Sequence, residues 1–537
     1  MASDENTLFA FYDLTVSPLS YDFVSFLIIA EEARLKEALE DIHIVVVPFD
    51  EGVGHWNNTQ FGLDHSMWRL NNVVFPLTRL LPSCKGFTIC NSREQAMPFY
   101  KRPAGNIFPE GYTIERPIER HHTGWSVLAA NSGRNLQHLR ATPEARNYAR
   151  QWIEEHAGGR KVVALTLREA RFTNNRDSDP GVWSAFARQL TEKGFFPVIL
   201  RDIDTALESP PREYQEFTFF PEGVFNLELR LGLYEEAHIC AFVANGPAQV
   251  CFYNKNIPFL YQVTGDWLND SPTPFNRIGI DVGDHSPFAN RFQRWIWKEQ
   301  DPDNLMEEFN RLDRDINESL SDHRFEAELI TDADNRRSLT RMGELILNWI
   351  ASIFSGSPTI QELELVEKCL ELSRESEEKA RLQQLLIREK TFQQVNNHMH
   401  ENDLVSALKT LESLDKDIEL TPVHCLRFGM ILDALGQYAK AAVLYQRTID
   451  SGDTSPGVLF RLAMAYRNIP DLDRATTVLE AMLHAGMRST RVVLELIDLY
   501  AVTRTPAAAI ELCDFWRNQG LSSPEIEVLR QRLATAA

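Results

Sequence analysis

HICAFVANGPAQVCFYNKNIPFLY, residues 238–261, decides the fold class. A short apolar run stops at Asn245-Gly246-Pro247, continues with helix-forming residues, and gives way to a second apolar run that starts beside Pro258. This reads as strand, tight turn, helix and strand. Gly246 lets a backbone come close to a ligand, and Pro247 suits the first turn of a helix. The leading N–H groups of that helix, around Asn245, Gly246 and Ala248, form an expected anion site that a phosphate-bearing ligand fits. A purely structural turn is the alternative. Residues 226–237, NLELRLGLYEEA, add a preceding helix with Asn226 as its N-cap, so the unit is αβαβ and the sheet parallel.

The same alternation extends upstream. KVVALTLREA (161–170) is a strand ending in Arg168 and Glu169, followed by the polar loop FTNNRDSDPG (172–181), the helix VWSAFARQLTEKG (182–194) and the strand FFPVILRDID (195–204). Together these make one doubly wound domain, whose ligands sit outside the carboxyl ends of the strands, where Arg168, Glu169, Asp202, Asn245 and Gly246 gather. The N-terminal portion repeats the theme, with strands at 7–14, 41–49 and 86–91 and an amphipathic helix over 21–39. Neither GxGxxG nor GxxxxGK[ST] follows the first strands, which argues against a classical dinucleotide fold and a P-loop nucleotidase. Two α/β domains in tandem, 1–155 and 156–355, leave a cleft between them. Ser355-Gly356-Ser357-Pro358 then reads as a linker to a third region, 359–537.

The chain has 537 residues, 44% of them hydrophobic, enough for several well-buried cores. Asp plus Glu (76) outnumber Lys plus Arg (55), and the formal charge of -21 disfavours nonspecific attraction to nucleic acid or anionic lipid. An anionic ligand therefore needs a local basic site. No basic leader opens the chain and no uncharged apolar run approaches the ~20 residues that span a bilayer, so a cytoplasmic protein is expected. Seven cysteines are scattered without CxxC pairs or zinc-site histidines, so neither a disulfide framework nor a zinc site is expected. Asp202-Ile203-Asp204 resembles a metal-binding DxD, but the pattern recurs at 177, 301, 313, 332, 415 and 471 and so carries no meaning.

Ala407, Ala441, Ala475 and Ala509 recur every 34 residues, each followed four residues on by Leu411, Tyr445, Leu479 or Cys513. In LDALGQYAKAAVLYQRTI (432–449), Gly436, Tyr438, Ala441 and Tyr445 stand at the offsets of a tetratricopeptide repeat, and Pro456 follows the second helix. The region 385–537 resembles that family, with 361–388 as an earlier divergent pair. Pro506 departs from the pattern at the tyrosine-like position, and Leu479 and Cys513 replace the aromatic. A helical solenoid is implied, with a surface for a protein partner. The repeats also leave open a purely bracing role or a homo-oligomer.

Two Rossmann-like domains, with an arginine after the second domain's first strand and AFVANGPAQV near its end, resemble a GT-B glycosyltransferase of the heptosyltransferase or fucosyltransferase kind. By that resemblance the fold is α/β followed by all-α. The turn at Asn245, Gly246 and Pro247 would hold the diphosphate of a nucleotide-sugar donor, and Arg168 would bind it, with no metal and no other cofactor implied by the resemblance; a surface ion pair with Glu169 or another neighbour is the other reading of Arg168. Leu165-Thr166-Leu167-Arg168 keeps the family's arginine and lacks its histidine. Asp202 stands where such sheets meet a ribose, or is simply solvated. Transfer needs a proton acceptor, for which Asp13 at the first strand's end, Asp22 at a helix start and His122 of His121-His122 are candidates, each with a noncatalytic alternative. Residues 264–297 suit a long loop beside the cleft, with Trp295 and Trp297 either stacking on ligand or in the core. O-GlcNAc transferases join such repeats to such a body in the opposite order, which makes a protein or glycan acceptor recruited by the repeats the leading expectation. A noncatalytic scaffold with a degenerate GT-B-like body is the alternative.

Overall fold

The computed structural model describes residues 4–49, 54–59, 63–100, 106–170, 176–203, 205–269, 273–352, 360–373, 376–414, 418–487, 489–518 and 523–536. The linker expected at 355–358, part of the polar loop at 172–175 and Asp204 lie outside them. The chain divides into two compact units, unit 1 comprising Met1–Trp349 and Thr359–Leu382, and unit 2 comprising Ile350–Pro358 and Gln383–Ala537.

Unit 1 contains two parallel sheets. The first holds β1 (Thr7–Asp13), β2 (Asp41–Val47), β3 (Cys84–Ile89) and β4 (Ile107–Phe108) in the order β3-β2-β1-β4. The second holds β5 (Val162–Thr166), β6 (Phe196–Leu200), β7 (Thr218–Phe219), β8 (Ile239–Val243), β9 (Phe259–Val263) and β10 (Gln293–Trp297), ordered β10-β9-β8-β5-β6-β7. Every residue of β5, β6, β8 and β9 is buried. A parallel sheet covered by helices on both faces has no wet side, which is why these strands read as continuous apolar runs. The strand order reverses between β5 and β8, so their carboxyl ends diverge into a crevice, the position where open α/β sheets take ligands. These are two Rossmann-like sheets, as expected.

The structure corrects two local readings. Residues 293–297, expected within a loop, form β10 and pair in parallel with β9. The helix expected after Pro247 is one turn, Gln249–Phe252. A four-residue helix has no developed dipole, and the N–H groups of Ala248, Gln249 and Cys251 are bonded within the turn, to Asn245 Oδ1, Gly246 O and Ala248 O.

The larger segment of unit 2, Gln383–Ala537, is helical throughout and begins within the helix Ser376–His400. Helices Leu404–Glu412, Pro422–Ala434, Tyr438–Asp450, Pro456–Asn468, Leu472–His484, Thr490–Thr503, Pro506–Asn518 and Pro524–Ala536 follow. Ala407, Ala441, Ala475 and Ala509 are each 0% exposed, and Leu411, Tyr445, Leu479 and Cys513 are buried beside them. The 34-residue spacing is thus the spacing of successive helix-helix contacts, where a methyl side chain permits close approach. Gly429 serves the same end, because a Cβ there would lie 2.7 Å from the ring of Tyr445. This is tetratricopeptide-like packing.

Candidate functional site

Beyond the ends of β5 and β8, Arg168 and the turn Asn245-Gly246 form a ridge with a cavity on each side. Arg168 is 8% exposed. Its Nε lies 3.3 Å from Asp177 Oδ1, and its backbone N–H donates to Ser178 Oγ at 3.0 Å. A cavity of about 490 Å3 and another of about 580 Å3 are both lined by Arg168, Asn245 and Gly246.

The smaller cavity is basic. Among the described residues, Arg69, Arg168, Arg201 and Arg230 line it against one carboxylate, Asp202, and Tyr21, Trp68 and Phe225 add aromatic walls. Arg201 is braced by both oxygens of Glu169, at 2.9 and 3.0 Å, and donates to Glu208 O at 2.8 Å. Arg230 is 3% exposed and donates from Nε to Gly223 O at 2.6 Å. Burial works against its charge, but Tyr234, Tyr21 and Asp202 around it outweigh that, so its pKa is raised. Arg69 donates to Leu19 O at 3.0 Å. A chain of net charge -21 has therefore gathered four guanidinium groups at one strand-end crevice.

Several expected donor-binding residues are placed differently by their partners. Glu169 lines neither cavity, since Arg201 and Thr205 Oγ1, at 2.7 Å, occupy its carboxylate; it positions Arg201 instead. The Ala248 N–H donates to Asn245 Oδ1 at 3.0 Å, so that amide is spent within the turn. Gly246 is needed for packing, because a Cβ there would sit 2.6 Å from Tyr21 Cδ2. Asp202, Asn245 and Pro247 line the basic cavity.

The larger cavity carries the titratable groups Asp22, His55, Glu119, His121 and His122, with Arg176 and Arg277. Burial pushes the Glu119 carboxyl up to about 8, more than Arg277 and Arg120 lower it. Burial likewise drives His122 down to about 3, helped by Arg277, so its imidazole is neutral throughout the physiological range. A group that resists protonation so strongly is a hydrogen-bonding partner and a poor proton acceptor. His121 is lowered well below its ordinary value by burial, then by His122 and His55. Arg176 lies over the Trp267 ring at 3.9 Å, and Arg277 pairs with Glu362.

Asp13 does not reach either cavity. It is 1% exposed and accepts from Arg93 at 3.0 and 2.7 Å, from Tyr112 Oη at 2.8 Å and from the Thr15 N–H at 3.0 Å. All its accepting capacity is used in tying β1 to its surroundings, which removes the geometry expected of a base. Asp22 precedes the helix Phe23–Lys36 without a side-chain capping bond and lines the larger cavity.

Sequence reading missed Arg69, Arg230, Trp68, Phe225 and Glu119. Glu119 adjoins the noticed His121-His122, and Arg230 interrupts the apolar helix Leu227–Glu236; an isolated cation among buried residues was the available signal.

No protein-family model and no curated protein matches this sequence. Among solved structures, the chain is similar to E. coli ADP-heptose lps heptosyltransferase II, at 12% identity over 58% of this chain and 99% of that chain, with a TM-score of 0.35. It is similar to the glycosyl transferase family 9 protein from Veillonella parvula DSM 2008 at 11% identity, covering 49% of this chain and 81% of that one, with a TM-score of 0.31. It is also similar to the APC/C hetero-tetramer Cut9-Hcn1 at 13% identity, covering 41% of this chain and 40% of that chain, with a TM-score of 0.23.

Proposed function

We propose that unit 1 is a glycosyltransferase that takes a nucleotide-sugar donor, and that the helical repeats of unit 2 recruit a protein or glycan acceptor. The observation that carries the reading is the ridge of Arg168 and Asn245-Gly246 shared by a basic cavity and a second cavity rich in titratable groups. A diphosphate in the first would meet guanidinium groups that stabilise both the bound phosphates and the charge developing on the leaving group. Trp68 and Phe225, 37% and 42% exposed, offer faces for a base, and Asp202 offers an acceptor for ribose hydroxyls. A reaction at the ridge then transfers the sugar to whatever occupies the second cavity. The donor charge is met by arginine, so the reading requires no metal or other cofactor.

Among the described residues no helix is long and apolar enough to cross a membrane. Six of the seven cysteines are buried thiols. Action in the cytoplasm on a soluble acceptor suits both.

The test is calorimetric titration of the full-length protein with UDP, GDP, CMP and ADP and their sugars. One nucleotide should bind saturably, and Arg168→Ala should weaken it by about tenfold or more while the variant keeps the wild-type circular dichroism spectrum and a cooperative unfolding transition. Failure of every nucleotide to bind would remove the reading and favour a scaffold.

A further inference from the structure

The larger cavity holds an unusual concentration of unspent hydrogen-bonding capacity. Glu119 Oε1, His121 Nδ1, His122 Nδ1, Asn245 Nδ2, Gln249 Oε1 and Trp295 Nε1 are all buried without a hydrogen-bond partner, and all six residues line it. Trp295 and His121 are only 6% and 8% exposed. Each buried polar atom left unpaired costs about 1–3 kcal/mol, so six in one cavity mark a place built for a polar guest. They include fixed donors, fixed acceptors and imidazole nitrogens, which matches hydroxyl groups, since each hydroxyl both donates and accepts. Between them stand apolar ring faces from Tyr261, Trp267, Phe275 and Trp295. Hydroxyls alternating with C–H faces are the chemistry of a saccharide.

Of the two carboxyls that line this cavity among the described residues, Asp22 accepts from Ser20 Oγ at 2.8 Å, while one oxygen of Glu119 is buried without a hydrogen bond. Glu119 Oε1 lies 3.2 Å from His121 Nε2 without hydrogen-bond alignment, while Arg120 is bound to Glu364 at 2.8 Å and Arg277 to Glu362. We propose that Glu119 is the group that takes the proton from a saccharide acceptor's hydroxyl during transfer, with His121 positioning it. This inference rests on the glycosyltransferase reading and deepens it.

The step balances as follows. The acceptor oxygen forms a bond to the donor's anomeric carbon, the bond from that carbon to the diphosphate oxygen breaks, and its electron pair leaves with the nucleoside diphosphate. The acceptor's proton moves to the ionised Glu119 carboxylate and passes from there to water. The groups facing Glu119 are Asp22 at the start of the helix Phe23–Lys36, His55, the flanking Arg120, His121 and His122, Arg277 from the turn Pro274–Ile278, and Glu362 from the helix Ile360–Leu372. Among them burial dominates and holds the carboxyl at about 8. A carboxylate this reluctant to ionise is a stronger base than an ordinary one, and its value lies near the working pH, where general-base catalysis is most effective.

The test uses full-length protein and release of nucleoside diphosphate from UDP-glucose, UDP-N-acetylglucosamine, GDP-mannose, GDP-fucose and ADP-glucose, with water or added oligosaccharide as acceptor. Turnover should rise with pH to a plateau above about pH 8. Glu119→Gln should lower kcat about a hundredfold or more and flatten that rise, while nucleoside diphosphate binding stays at the wild-type level. Glu119→Asp, with the base retained but withdrawn, should recover part of the rate together with the pH dependence. Wild-type turnover by Glu119→Gln, or an unchanged pH profile, overturns the assignment and leaves the donor reading standing. Absence of turnover with every donor, alongside normal nucleotide binding, also overturns it. Loss of nucleotide binding by the wild-type protein overturns both readings together.

Discussion

Replacing Glu119 by glutamine should make the protein more stable, and increasingly so as the pH rises. The folded protein holds this carboxyl at about 8 against an ordinary value of 4.5. Below pH 4.5 the group is protonated in both the folded and the unfolded chain, so it contributes no penalty. Between the two values the unfolded chain releases the proton and the folded chain keeps it, so stability falls as pH rises, by about 1.4 kcal/mol per pH unit. At pH 7 the accumulated penalty is about 3 kcal/mol, and it levels off above pH 8. Glutamine has nearly the same shape and no proton to manage. The difference in stability between Glu119→Gln and wild type should therefore grow from near zero at pH 4.5 to about 3 kcal/mol at pH 7. Urea unfolding followed by tryptophan fluorescence suits the measurement, because nine of the ten tryptophans, all but Trp516, belong to unit 1. A stability difference that stays flat from pH 5 to pH 8 would refute the buried, proton-holding environment, and with it the tuned base.

Asp13→Asn should destabilise unit 1 by about 1.5–3 kcal/mol, since it removes the charge from the bonds that the fully buried carboxylate makes with the half-buried Arg93, which keeps Thr15 Oγ1 and Pro48 O as acceptors; a loss of turnover with the urea midpoint unchanged would instead return Asp13 to a catalytic role. Gly246→Ala drives a methyl group into Tyr21 and should cost about 1–3 kcal/mol, most of it recovered in Gly246→Ala with Tyr21→Leu, read from the same unfolding curves. Arg230→Gln should weaken nucleoside diphosphate binding by tenfold or more and reduce its salt dependence, measured by calorimetry at two ionic strengths. In unit 2, Tyr445→Ala empties the space facing Gly429 and should cost about 3–5 kcal/mol, visible as an earlier loss of helical circular dichroism; an unchanged transition would contradict the packing of the repeats.

Local pattern made much of the architecture legible. The runs VVALT and ICAFV are apolar throughout because a doubly covered parallel strand has no wet face, and the alanines at a spacing of 34 recur because each repeat buries the same small side chain against its neighbour. Arg168, Asp202 and Asn245-Gly246-Pro247 were found by one topological rule, that loops after parallel strands meet at the crevice. Such features depend on residues close in sequence, whose spacing the chain states openly.

The site's chemistry depends on residues that sequence leaves far apart. Asp13 and Asp22 look equivalent in the chain, yet Arg93 and Tyr112 bind one while the other lines a cavity. Gly246 reads as space for a ligand until Tyr21, 225 positions earlier, is seen to fill it. Glu119 stands in the sequence among Arg116, Arg120, His121 and His122, which would favour an ordinary carboxylate, and only its burial in the fold raises its proton affinity, against the opposing pull of Arg277 and Arg120. Secondary structure follows from spacing along one segment, so the sequence by itself determined the strands, the repeats and the strand-end loops. Proton affinity and hydrogen-bond commitment follow from distance and solvent exclusion among segments brought together by folding, and those the tertiary structure alone decided.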